Sequence, residues 1–227
     1  MQDKRYLLNL EQLLTGEDRE ALFKEALGKV DAERRQKALY IKKIKVQAAS
    51  LGAGLLLQKA LADSTEGSSC KKIQLFSVRE LLARIDGPVI EPDYGYGRNG
   101  KPYFKNYPLQ FNLSHSGSYV FCGVSHQEIG VDIQEIRDVK EVSLAKRFFS
   151  ERESMALEFC ENDEERSQLF FRMWTRKEAY GKLTGQGLAG IMKKDLWADD
   201  SKEEKLIWNE YDIPSGYRIA VCIYAPE

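Results

Sequence analysis

The sequence predicts an α+β chain of two pseudo-symmetric halves, each a small antiparallel sheet packed with helices. Three observations lead to it. The elements run strand, helices, strands, and then strand, helices, strands a second time. Three short runs with strand character, Leu109 to Ser114, Tyr119 to Ser125 and Ile129 to Ile136, are joined by links short enough for an antiparallel meander. Leu169 to Thr184 carries apolar residues at Phe170, Met173, Trp174 and Leu183, the spacing of a helix with one buried stripe. The break between halves falls near His126 to Glu128, which makes 1–127 the first half and 128–227 the second.

Composition narrows the class of protein. A chain of 227 residues can form one large domain or two small ones with a good core. Its 34 basic and 35 acidic residues nearly cancel, so bulk charge points to neither nucleic acid nor a membrane. The opening MQDKRYLLNLEQ carries charges where a secretory signal needs an unbroken apolar core. The longest small and apolar run, Leu51 to Leu57, is too short to span a bilayer. Cys70, Cys122, Cys160 and Cys222 are scattered without a C-x-x-C pair, which argues against zinc and against a disulfide framework. Free thiols in a reducing cytoplasm are the expectation. With only His115 and His126, a histidine-rich metal site is excluded.

In chain order, Tyr6 to Leu10 reads as an opening strand. Thr15 to Leu27 reads as a helix with Thr15 as N-cap, Asp18 completing a weak capping box and Gly28 closing it. Asp31 to about Ala62 is helical throughout by composition. Its first half is basic, and Gly52 and Gly54 in its second half let another element approach closely. Asp63 to Lys72 reads as a polar loop, and Ile85 to Gly100 is punctuated by Gly and Pro, so Lys101 and Pro102 follow a tight turn. In GVDIQEI, alternation puts Val131 and Ile133 on one strand face and Asp132 and Gln134 on the other. An acid among strong β-formers goes against local propensity, as functional positions often do. Ser150 with Glu153 three residues on is a capping box that starts a new helix. In the helix over 169–184, Trp174, Glu178 and Lys182 are four apart and project from one face. Lys205 to Tyr211 and Tyr217 to Tyr224 close the chain as a hairpin around Pro214-Ser215-Gly216.

Each polar position has a structural account by itself: a solvated strand face for Asp132, an i,i+4 pair for Glu178 and Lys182, a turn for Ser114. Together the segments GKPYF, FNLSHSG, GVDIQEI, RFFSERE and WTRKEAYGK, with ERRQKALY more loosely, resemble the 4′-phosphopantetheinyl transferases of the surfactin-synthetase-activating type. The resemblance runs from Gly100 to about Leu188, and its combination of motifs is specific where no single piece is.

That resemblance implies the transferase fold, with coenzyme A bound in the cleft between the halves of a cytoplasmic monomer. The implied reaction is Mg²⁺-dependent transfer of phosphopantetheine from coenzyme A to a serine of an apo acyl or peptidyl carrier protein, releasing adenosine 3′,5′-bisphosphate. Asp132 and Glu178 match the family's metal ligands, with Gln134 where many members have a third acid. Lys182 matches the lysine at the pyrophosphate, so Asp132, Glu178 and Lys182 are the expected catalytic set. Lys101, Pro102, Ser114 and His115 match positions at the nucleotide end, with His115 near the 3′-phosphate. Arg34 and Lys37 match basic residues that reach the phosphates. Ala48-Ala49 stands where an arginine is common, which removes one expected phosphate contact. The alternative is a non-catalytic coenzyme A or carrier-binding module of the same fold. A nucleic-acid binder using the basic helix is disfavoured by the near-zero net charge.

Overall fold

The structure, a computed structural model, describes residues 3–64, 70–196 and 205–225. The chain divides into two compact units, Met1–Tyr96 with Pro102–His126, and Gly97–Lys101 with Gln127–Glu227. No helix among the described residues is long and apolar enough to cross a membrane.

The first unit opens with β1 (Lys4–Asn9), the one-turn α1 (Glu11–Leu14) and α2 (Arg19–Gly28). Helix α2 starts later than Thr15. The Thr15 hydroxyl instead donates back to the Glu11 carbonyl, and Asp18 occupies the N-cap without a side-chain cap bond. Gly16 makes the turn, since a Cβ there would lie 2.6 Å from the Gln12 carbonyl oxygen.

The single helix expected over 31–62 is two, α3 (Ala32–Tyr40) and α4 (Ile44–Asp63). Ile41 and Lys43 are extended between them, and the Gln47 amide donates to the Ala38 carbonyl across the corner at 2.9 Å. The local composition favours helix on both sides, so no breaker marks this corner in the sequence. Ala48, Ala49, Leu51, Leu55 and Leu56 of α4 are buried in the core of this unit.

Part of the loop expected over 63–72 is strand β2 (Cys70–Ser77); residues 65–69 lie outside the described residues. Helix α5 (Val78–Arg84) follows under a complete Ser77–Glu80 capping box. A small hairpin of β3 (Tyr94–Tyr96) and β4 (Pro102–Phe104) comes next, then β5 (Gln110–Ser116) and β6 (Tyr119–Ser125). The main sheet runs β2-β1-β6-β5, with β1 and β2 parallel and the other two pairings antiparallel.

The second unit contains β7 (Ile129–Glu135), α6 (Glu141–Phe148), α7 (Glu151–Glu158), α8 (Asp163–Thr184), α9 (Gly187–Ile191), β8 (Leu206–Tyr211) and β9 (Tyr217–Tyr224). Its antiparallel sheet is ordered β7-β9-β8. The three-stranded meander is therefore corrected: β5 and β6 form a hairpin, but β7 pairs with β9. The reason is edge occupancy, because β1 already holds the second edge of β6, with Tyr6 opposite Cys122. Both halves of the Ser150–Glu153 capping box are formed. Helix α8 begins at Asp163, earlier than its apolar stripe alone indicates, because Asn162 caps it through the Glu165 amide at 2.8 Å. It ends at Gly185, whose φ of 67° lies in the left-handed region that favours glycine.

Candidate active site

Strand β7 and helix α8 build the centre of the second unit. Gly130 is what lets them meet: a Cβ there would lie 2.0 Å from the Ala179 carbonyl oxygen and 2.5 Å from the Leu183 nitrogen. Asp132 is on the same strand face, two residues along. It is not on a solvated face, as an acid mid-strand first reads, but 1% exposed.

Both carboxylate oxygens of Asp132 are engaged. The Lys182 ammonium donates to Oδ1 at 2.7 Å, and the Gln134 amide nitrogen donates to Oδ2 at 3.1 Å. Glu178, one turn before Lys182, is half-buried and has no hydrogen-bond or ion-pair partner among the described residues. Burial raises its pKa above the ordinary carboxylate value; the Asp132 charge adds to this and the Lys182 charge opposes it. Glu178 is therefore a more basic carboxylate than a solvated one, and close enough to Asp132 to feel its charge.

The same helix holds a second charged pair that sequence reasoning misses: Glu153 is the capping residue expected of it, and it is also the partner of Lys177. Lys177 and Glu153 form an ion pair at 2.8 Å with both side chains sealed from solvent. Glu153 also accepts from the Ser150 and Leu196 backbone nitrogens, and Lys177 lies 5.4 Å over the Phe149 ring. A signal was present: Lys177 follows Phe170 and Met173 at helical spacing, so a lysine sits on the buried stripe. Trp174 flanks it, stacked on Phe170 at 5.7 Å.

The other expected residues fall into two groups. Lys101 belongs to the second unit, where its ammonium donates to Glu128 at 2.5 Å and to the Leu183 carbonyl at 3.1 Å near the end of α8. The nearby Asn99 amide donates to the Gly185 carbonyl at 2.7 Å. Arg34, Lys37, Pro102, Ser114 and His115 belong to the first unit. Arg34 is half-buried and Lys37 exposed on α3; Pro102 opens β4; Ser114 is buried and His115 exposed on β5.

Two carboxylates, an amide and no sulfur or imidazole make a hard-oxygen donor set, the kind that Mg²⁺ prefers. Among the described residues no group of three or more His, Cys, Asp or Glu is arranged to hold a metal ion. Phosphate oxygens and water would have to complete the coordination, which is how Mg²⁺ is commonly held. The repulsion between Asp132 and Glu178, which adds to the effect of burial on Glu178, is what a divalent cation would relieve. The residues fit the ion.

Residues 128–222, which include all four members of this cluster, match the family model of the 4′-phosphopantetheinyl transferase superfamily. The chain is 37% identical over 149 residues to the 4′-phosphopantetheinyl transferase AcpT of Salmonella typhimurium, covering 64% of this chain and 75% of that relative. It is 41% identical over 120 residues to a putative 4′-phosphopantetheinyl transferase of Synechocystis, covering 50% and 48%. It is 32% identical over 142 residues to the 4′-phosphopantetheinyl transferase Sfp of Bacillus subtilis, covering 56% and 61%. The chain spans about half to two thirds of the length of most curated relatives it matches.

Proposed function

The chain belongs to the 4′-phosphopantetheinyl transferase superfamily and is of the surfactin-synthetase-activating type, and on that premise we propose that it is an active transferase. It moves phosphopantetheine from coenzyme A to a serine of an apo acyl or peptidyl carrier protein and releases adenosine 3′,5′-bisphosphate. It acts as a cytoplasmic monomer, with one chain supplying residues 1–127 and 128–227 as the two halves of the transferase. The observation that carries the reading is the Asp132–Lys182 pair at 2.7 Å beside a half-buried Glu178 that has no partner among the described residues.

In this reading Asp132 and Glu178 hold Mg²⁺, with Gln134 beside them, and the ion when bound supplies positive charge to the pyrophosphate of coenzyme A. The chain's own residues do the rest. The Glu178 carboxylate, or a water that it orients, takes the proton from the carrier serine hydroxyl. The serine oxygen forms a bond to the β-phosphorus, and the bond to the bridging oxygen breaks with its electron pair leaving on the nucleotide. Lys182 stabilises the charge that builds on the phosphoryl oxygens. Lys101, Pro102, Ser114 and His115 serve the nucleotide end, and Arg34 and Lys37 serve the phosphates.

The test mixes the full chain, coenzyme A and Mg²⁺ with a panel of apo acyl and peptidyl carriers and reads whole-protein mass. At least one carrier gains the mass of a single phosphopantetheine, and none does when Mg²⁺ is chelated. Coenzyme A binding with Mg²⁺ and no mass gain on any carrier would favour the non-catalytic binding module.

A further inference from the structure

Arg34 follows two acids, Asp31 and Glu33, at the start of α3, yet its guanidinium has no hydrogen-bond or ion-pair partner among the described residues. Both acids are held by tyrosines of one strand. The Tyr94 hydroxyl donates to Asp31 Oδ2 at 3.2 Å, and the Tyr96 hydroxyl donates to Glu33 Oε1. Tyr94 and Tyr96 are two apart on β3, so they project from the same strand face toward the first turn of α3.

The remaining contacts of the acids fit this arrangement. Asp31 is 1% exposed, and its Oδ1 accepts the Arg34 backbone nitrogen at 2.8 Å as the N-cap of α3. Tyr94 is fixed by packing on Phe104 and Phe111, with ring centroids 5.6 and 6.3 Å away. Burial and the neighbouring Asp31 charge raise the Tyr94 pKa, and the bond to Glu33 raises that of Tyr96, so both hydroxyls stay protonated donors. The stem of Arg34 is seated against α4: a Cβ on Gly54 would lie 2.5 Å from its Cγ. The neighbouring Arg35, by contrast, is spent on the Leu27 and Val30 carbonyls.

We propose that Tyr94 and Tyr96 are positioning residues that hold Asp31 and Glu33 off Arg34, leaving its guanidinium available to a phosphate of coenzyme A. The inference rests on the reading above that Arg34 is a phosphate contact. Without the tyrosine hydroxyls, a carboxylate within one helical turn would compete with the ligand for the same fork of donors.

The experiment measures coenzyme A affinity of the full chain by titration calorimetry with Mg²⁺ and no carrier, together with KM values for coenzyme A and carrier. R34A weakens coenzyme A binding by about tenfold, the loss of one charge-assisted contact. Y96F weakens it by about threefold and Y94F/Y96F by about fivefold, on the KM for coenzyme A and not on the carrier KM. E33Q restores affinity in the Y96F background, and Y94F/Y96F adds no loss to R34A. Tyr96 is exposed, so Y96F and its E33Q rescue remain readable even if Y94F disturbs folding. Failure of E33Q to rescue Y96F, or full additivity with R34A, overturns the positioning role. An R34A protein with unchanged affinity instead removes Arg34 from the coenzyme, a failure of the reading beneath, and the carrier mass assay then judges the transferase independently.

Discussion

Lys177 and Lys182 stand little more than one turn apart on α8, and each holds a carboxylate at almost the same distance, Glu153 at 2.8 Å and Asp132 at 2.7 Å. The first pair is closed. Neither side chain is more than 1% exposed, and Glu153 also accepts from the backbone nitrogens of Ser150 and Leu196. The second pair is open on one side: Lys182 keeps 28% of its side chain accessible, and Glu178, one turn away, has no hydrogen-bond or ion-pair partner among the described residues. A closed, satisfied pair can only hold the fold together, whereas an open pair next to an unpartnered acid can exchange partners with a ligand. The chemistry of the groups is the same, and access separates their roles.

The largest effect expected from breaking the open pair is on activity. D132A removes a candidate metal ligand and the ion pair it makes with Lys182, so transfer to carrier should fall by on the order of 10³-fold while the protein stays folded. Steady-state transfer alongside circular dichroism checks both halves of that statement. Breaking the closed pair should act on stability instead. K177A strands the buried Glu153 charge and should cost about 3–5 kcal/mol in urea unfolding. E153L/K177M should recover part of that loss, because it removes both charges but also one side of the α7 capping box.

Smaller changes sharpen the boundary between the two pairs. Gln134 donates to Asp132 rather than carrying charge of its own. Q134A should therefore keep transfer within about tenfold of wild type, and Q134E should lower the Mg²⁺ needed for half-maximal rate. A rate-against-Mg²⁺ series at saturating coenzyme A reads both. The smallest effect is on the pH dependence of stability. The Glu178 pKa is raised in the folded protein, so folding takes up protons there, and stability falls as pH rises from the ordinary carboxylate range through the raised value. E178Q should flatten that slope and raise Tm at neutral pH by a few degrees, measured by thermal melts across pH in the presence of a chelator.

Much of this contrast was legible in the sequence, but not all of it. The alternation in GVDIQEI and the spacing of Trp174, Glu178 and Lys182 located the open cluster, because both rest on local periodicity. The strand pairs around β5, β6, β8 and β9 and the cap at Ser150 were legible for the same reason. What escaped depended on partners distant in the chain. Strand β7 leaves its sequence neighbour because β1 has taken the edge of β6, and β2 pairs parallel to a strand that is far from it in sequence. The corner at Ile41 to Lys43 lies in a run of helix formers, where tertiary packing overrides propensity. Lys177 looks like surface charge until its place on the apolar stripe is set against Glu153, which belongs to another helix.

The central claim, that the open pair and its neighbouring acid are the working site, is tested most directly by E178Q. This variant keeps the shape of the side chain and removes its charge and its basicity. The measurement is whole-protein mass of an apo-carrier over time with saturating coenzyme A and Mg²⁺, in parallel with Tm of the same preparation. The account predicts severely impaired transfer by a protein at least as stable as wild type. Transfer at the wild-type rate by E178Q would contradict it.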